Sequence, residues 1–132
     1  MNAYEIQKFG GPEGLRLVDR PPPDPGAYDV VVRIKAASLN YRDLIVLRGQ
    51  YDRHPVEGRI PLSDGAGEVI AVGTAVTKFK VGDRVAGCFF QGWSAGRFKA
   101  EMHRTALGGQ IDGVLVEKAK FREEGLVHLP KD

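Results

Sequence analysis

An amide, a phenol, a guanidinium and a carboxylate follow one another at Asn40-Tyr41-Arg42-Asp43. They lie where a strand-like run gives way to a helical one, an edge that can present side chains to a cleft. The amide and the phenol could hydrogen-bond a carbonyl or a ribose without any metal. On the blander reading Asn40 only caps the helix and Tyr41 only packs; the two roles can coexist. Arg42-Asp43 and Asp83-Arg84 set opposite charges side by side. Each pair serves as a structural ion pair or as charge near a cofactor, and the structural reading is the stronger.

The remaining reactive residues exclude more than they offer. His54, His103 and His128 match no zinc spacing, and Cys88 is the only cysteine. A Cys-His nucleophile pair and an internal disulfide lose support together. Cys88 lies in the apolar run Val85-Ala86-Gly87-Cys88-Phe89-Phe90, which suits a buried structural thiol. Gly65-Ala66-Gly67-Glu68-Val69-Ile70 starts like a phosphate-binding glycine motif. Its sixth position is isoleucine, and its glycines open a strand where a phosphate loop needs a helix. Phe89-Phe90-Gln91-Gly92-Trp93 sets three aromatics among glycines, as a pocket lining, a core or a subunit contact.

Positioning these residues requires a β-rich frame. The 17 glycines and 8 prolines cut the chain into short segments. Ala3 to Phe9 and Leu15 to Asp19 read as strands joined by a Gly10–Gly14 turn. Pro21 to Gly26 is a stiff connection, because proline lacks the ladder donor. In Asp29 to Ser38, Val30, Val32, Ile34 and Ala36 share one face, and Val31, Arg33, Lys35 and Ala37 share the other. That period predicts a half-buried strand. Tyr41 to Arg48 predicts a short helix, with Asn40 as cap and Gly49 as stop. Gly67 to Val72, Asp83 to Phe89, Ile111 to Lys118 and Gly125 to Leu129 predict further strands. No run of alternating helices and strands predicts a doubly wound nucleotide-binding domain within these residues.

The chain has 132 residues, the usual size of one domain, with 42% hydrophobic and 27% charged residues. Nineteen basic and 17 acidic residues leave a net charge of +2, too small and too scattered to predict a nucleic-acid partner. Lys78, Lys80 and Arg84, with Asp83 among them, read as a solvated rim. No apolar run reaches the roughly 18 residues of a membrane span. The first residues lack a signal-peptide pattern, so the expected location is the cytoplasm, with no membrane partner.

Several stretches resemble, in family order, the N-terminal, GroES-like catalytic domain of medium-chain dehydrogenases/reductases. They are Val30 to Asp43, Pro61 to Gly73, Phe79-Lys80-Val81-Gly82-Asp83-Arg84-Val85, Leu107 to Leu115, and Glu123 to Pro130. The resemblance runs from Tyr4 to Pro130. It implies a mainly β, GroES-like partly open β-barrel with one or two short helices, filling residues 1–132. It also implies that the family's Rossmann NAD(P)-binding domain lies outside this chain, which then looks like a catalytic-domain fragment, inactive in isolation.

The departures from the family pattern select a branch. Zinc-dependent members place a cysteine ligand where this chain has Asn40, and a histidine followed by a glutamate where it has Ser63 and Asp64. Serine and asparagine are poor zinc ligands. The resemblance therefore implies the zinc-independent quinone oxidoreductase and enoyl reductase branch, with NADP or NAD and no zinc. That branch keeps an asparagine at Asn40 and an aromatic at Tyr51, facing nicotinamide and substrate. A further tyrosine often found between them is Ile45 here. The implied catalytic contacts are Asn40 and Tyr51; the implied cofactor contacts are Asn40, Tyr41 and Arg42. The implied reaction is hydride transfer to a quinone, an activated alkene or a carbonyl of a small-molecule substrate. A homodimer is expected for the full-length enzyme. The competing reading is a stand-alone GroES-like binding or assembly module without catalysis.

Overall fold

β-Branched side chains crowd the start of Asp29–Ser38, and this stretch forms the long strand β3. The computed structural model, which describes residues 1–131, places β3 near the middle of an antiparallel sheet. β4 (Asp64–Val72) pairs with it on one side and β6 (Lys118–Arg122) on the other. β5 (Arg84–Gly87) and β7 (Leu126–His128) extend the sheet beyond β4, giving the order β6-β3-β4-β5-β7.

β1 (Asn2–Ile6) and β2 (Leu15–Asp19) form a separate hairpin around a 3-10 turn at Pro12–Gly14. Residues 115–117 lace this hairpin to the sheet. The Tyr4 N–H donates to the Leu115 carbonyl and the Ile34 N–H to the Glu117 carbonyl, each at 3.0 Å. The result is the mainly β, partly open barrel that the resemblance implies, with one α-helix and three short 3-10 segments among the described residues.

Val30, Val32, Val69, Val85, Val114 and Phe121 fill the barrel core. A second cluster of Ile6, Val46 and Leu47 seats the helix α1 (Tyr41–Leu47) against the hairpin, with Phe9, Leu15 and Tyr51 at its edge.

The elements depart from expectation where tertiary contact overrides pattern. Val31 is buried as well as Val30 and Val32, because β3 is an interior strand whose first half is covered on both faces. Ile111 to Lys118 is not a strand; β6 begins at Lys118. The N–H groups of Gly113, Val114 and Leu115 donate instead to the carbonyls of Ile60, Leu62 and Pro61. This close approach needs Gly113, since a Cβ there would lie 2.0 Å from the Leu62 carbonyl oxygen. β1 stops at Ile6, short of Phe9. Glu123–Gly125 turns as a 3-10 segment before β7. Ala100–Thr105 forms a 3-10 segment where no element was expected.

Candidate functional site

Two chain segments meet at Asn40. One is the β3-to-α1 junction, where Asn40 holds the N-cap position in extended conformation. Its N–H donates to Asp43 Oδ2 at 2.8 Å, and the Asp43 N–H returns to the Asn40 carbonyl at 3.0 Å, fixing the first turn. The other segment is Pro61-Leu62-Ser63-Asp64. Leu62 has a φ of 72°, a left-handed backbone that few leucines adopt. Its carbonyl accepts the Val114 N–H at 3.0 Å, and Gly108 and Gly113 pack against its peptide. The kink buries Ser63 to 1% exposure and directs Asp64 outward. The Asn40 side-chain amide donates to Asp64 Oδ2 at 2.6 Å, joining the two segments across the barrel rim.

Arg42 begins a stacked column. Its guanidinium carbon lies 4.0 Å from the centre of the Tyr51 ring and 4.4 Å from that of Phe89. Nη1 donates to the Leu107 carbonyl at 2.8 Å, while Nε and Nη2 are buried without a partner. Beyond Tyr51 the His103 ring stacks at 5.9 Å, with 15° between the planes. His103 also contacts Phe90, which meets Phe89, Trp93 and Phe98 edge-on or tilted. Phe89-Trp93 is thus part of an aromatic cluster continuous with the column.

Tyr51 forms one wall of a cleft of about 230 Å³. Ile6, Phe9 and Val46 supply an apolar lining, and His54, Arg59 and Arg104 bring basic groups. Arg59 is tied to Asp112 at 3.2 Å, leaving Arg104 the lining cation without an ion pair among the described residues.

Burial pushes the Asp43 carboxyl above its ordinary range, against the opposing pull of the Asn40 N–H and the nearby Arg42. Its Oδ1 has no partner. Burial likewise pushes the Cys88 thiol up, which keeps it protonated and poorly nucleophilic.

The structure brings Arg42 and Tyr51 into direct contact, while Asn40 turns to Asp64. Tyr41 is 72% exposed at the start of α1, beside Leu39 at 81%. The expected Arg42-Asp43 ion pair gives way to the Leu107 carbonyl and the two rings. Asp83 pairs with Lys80 at 2.8 Å. Phe89 lies in the aromatic segment that the sequence offers as a pocket lining, a core or a subunit contact; His103 and Gly109 belong to the site and were not identified from the sequence. Only their aromatic and glycine character could have hinted at them, because the contacts come from distant loops. Among the described residues, no three His, Cys, Asp or Glu side chains are grouped to hold a metal ion. No helix among the described residues is long and apolar enough to cross a membrane.

Residues 26–131 match the model of the alcohol dehydrogenase GroES-like domain. The chain is 40% identical over 128 residues to the quinone oxidoreductase of Pseudomonas aeruginosa, covering 96% of this chain and 32% of that protein. It is 33% identical over 130 residues to the acryloyl-coenzyme A reductase of Sulfurisphaera tokodaii, covering 92% of this chain and 38% of that one. Among solved structures it superposes with a TM-score of 0.87 on a cobalt- and zinc-bound thermostable alcohol dehydrogenase from Pyrobaculum aerophilum, at 27% identity, over 100% of this chain and 42% of that one. With the Escherichia coli quinone oxidoreductase complexed with NADPH the TM-score is 0.74 at 25% identity, over 98% and 33%. The chain spans about a third of the length of the curated relatives that it matches.

Proposed function

The chain belongs to the medium-chain dehydrogenase/reductase family by its alcohol dehydrogenase GroES-like domain, and we propose that it forms the substrate-facing part of a zinc-independent, NAD(P)H-dependent reductase acting on a quinone, an activated alkene or a carbonyl. The observation that carries this reading is the Asn40–Asp64 hydrogen bond of 2.6 Å. By the resemblance, positions 40 and 63 match the cysteine and histidine ligands of zinc-dependent members, and position 64 matches the glutamate that follows. Here an amide stands at the first, a buried hydroxyl at the second, and the third is engaged by the first. That donor set suits hydrogen bonding and is poor for zinc.

The same residues fit the nicotinamide end of a dinucleotide. Asn40, Asp64 and the exposed Tyr41 offer amide, carboxylate and phenol groups at the rim. Beside them runs an open groove lined by Ala36, Ala37, Ser38, Gly65 and Ala66, whose small side chains leave room for a flat ring. No phosphate-binding loop lies among the described residues, so the phosphates fall to a Rossmann domain outside this chain. The bound nicotinamide supplies the hydride.

This chain's residues then orient and stabilise. Asp64 holds the Asn40 amide in one rotamer, leaving that amide a fixed polar group at the rim. The Tyr51 phenol, at the cleft wall, donates to the acceptor's oxygen as negative charge develops there. The apolar lining from Ile6, Phe9 and Val46 excludes water from the acceptor. In the full enzyme two subunits associate, and the protein works in the cytoplasm.

The test is NADPH- or NADH-dependent reduction of a quinone and of an α,β-unsaturated carbonyl by the whole protein as its cells make it. Asn40→Ala is expected to lower kcat by about tenfold or more with the fold intact by circular dichroism. An unchanged rate would remove Asn40 from the mechanism. The absence of any nicotinamide-dependent turnover in the unaltered protein would overturn the reductase reading.

A further inference from the structure

We propose that Arg42 is the positioning residue for Tyr51, and that Gly109 is the vacancy in the packing that lets it act. The role of Tyr51 in contacting substrate rests on the reductase reading above; the coupling of the two side chains does not.

The guanidinium carbon lies over two rings, 4.0 Å from the centre of Tyr51 and 4.4 Å from that of Phe89. Its single hydrogen bond, Nη1 to the Leu107 carbonyl at 2.8 Å, sets its rotation about the stacking axis. Burial screens this cation from bulk water, the setting in which cation–π attraction is strongest. Nε and Nη2 are buried and make no hydrogen bond, so hydrogen bonding alone does not explain why the group lies there. No ion pair with the neighbouring Asp43 holds it there, since Asp43 accepts the Asn40 N–H through Oδ2 and leaves Oδ1 without a partner. What it gains is contact with two ring faces, and what Tyr51 gains is a fixed neighbour over its ring.

Gly109 supplies the second observation. A Cβ at this position would lie 2.6 Å from Arg42 Nη2 and 3.0 Å from Tyr51 Cε1. The backbone of residue 109 therefore closes over both partners at once. Its φ is not in the left-handed region, so the need for glycine here comes from space and not from backbone conformation. Arg42 comes from α1, Tyr51 from the segment after it, Phe89 from the end of β5, and Gly109 from the loop before β6. The pair is thus the point where four segments fix the orientation of one phenol at the wall of the cleft. The His103 ring, stacked on Tyr51 at 5.9 Å, is a further neighbour of the phenol.

The experiment uses the whole protein with 13C-labelled tyrosine rings, the Tyr51 signals being assigned by their loss in Tyr51→Phe. Arg42→Met removes the cation and keeps an apolar side chain between the rings. Gly109→Ala leaves Arg42 in place and crowds it. Both are expected to shift or broaden the Tyr51 ring signals while those of Tyr4 and Tyr28 stay fixed. Arg42→Lys, a cation without the flat face, is expected to restore them only in part. Unmoved Tyr51 signals in folded Arg42→Met or Gly109→Ala protein would overturn the proposal.

Turnover gives an independent arm. Arg42→Met is expected to lower kcat by about tenfold in the unaltered background and less than about twofold in a Tyr51→Leu background, because coupled residues are not additive. Equal losses in both backgrounds would overturn a role exerted through Tyr51. If the unaltered protein reduces no acceptor at all, the reductase reading falls, and the ring signals still decide whether Arg42 positions Tyr51.

Discussion

Glu123 and Asp43 are carboxylates of similar exposure, 7% and 4%, in opposite circumstances. Glu123 opens the turn before β7. Its Oε2 accepts the N–H groups of Thr77 and Lys78, each at 3.1 Å, and these hold its carboxyl below the usual range. Asp43 lies in the first turn of α1. It accepts one N–H through Oδ2, leaves Oδ1 without a partner, and is pushed up by burial. The contrast extends beyond the pair. Among the described residues, the buried side-chain polar atoms without a partner, on Arg42, Asp43, Arg59, Gln91 and Gln110, fall outside the β-strands. Two of the five residues, Arg42 and Asp43, lie in α1, while Gln91 sits against the Gly125 turn. Folded proteins concentrate such unmet groups where something other than stability has been selected.

The largest blow to the contrast comes from breaking the frame. Phe121→Ala empties a core position that is 3% exposed and is expected to cost about 3–5 kcal/mol, read from urea unfolding monitored by circular dichroism. A cost near that of a surface substitution would mean the sheet core is not the stabilising half of the molecule.

Glu123→Gln should be next, lowering the melting temperature at neutral pH because a charged acceptor of two N–H groups is lost. A carboxyl whose pKa is depressed by folding stabilises above its unfolded pKa and stops doing so as pH falls through its folded value. The unaltered protein should therefore lose stability on acidification below the ordinary carboxylate range, and Glu123→Gln should lose less of it. Parallel melting curves across that range would remove Glu123 from the acid response.

The smallest change is expected from Asp43→Asn, within about 1 kcal/mol at neutral pH, since the amide oxygen can keep the Asn40 N–H and no charge is buried. The sign of its pH dependence is opposite. Folding raises the Asp43 pKa, so this group weakens the fold as pH rises from the unfolded to the folded value. Removing it should steepen the loss of stability in acid. A flatter acid limb in Asp43→Asn would reverse the distinction drawn between the two carboxylates.

Where local pattern and tertiary demand agree, the sequence is easy to read. The branched run of β3 and the glycine stop after α1 announce themselves, while the two-residue period of β3 does not foretell that Val31 is buried. Asn40 and Tyr41 are legible for a related reason, since a change of period marks an edge. The contact of Arg42 with Tyr51 and Phe89 is not, because three separate segments must fold before the column exists. Residues 111–117 mislead for the same reason. Their apolar spacing resembles a strand, but Gly113 lets the backbone come close enough to residues 60–62 for its N–H groups to be used there and not in a ladder.

The left-handed Leu62 has a bearing on the order of folding. Such a backbone is unfavourable in an isolated segment and persists only where surrounding contacts over-determine it. Those contacts, to Gly108, Gly113 and Val114, come from a loop far along the chain. Residues 61–64 therefore acquire their shape only after that loop has closed. On the route from the unfolded chain, the bend that presents Asp64 to Asn40 is among the last features to appear.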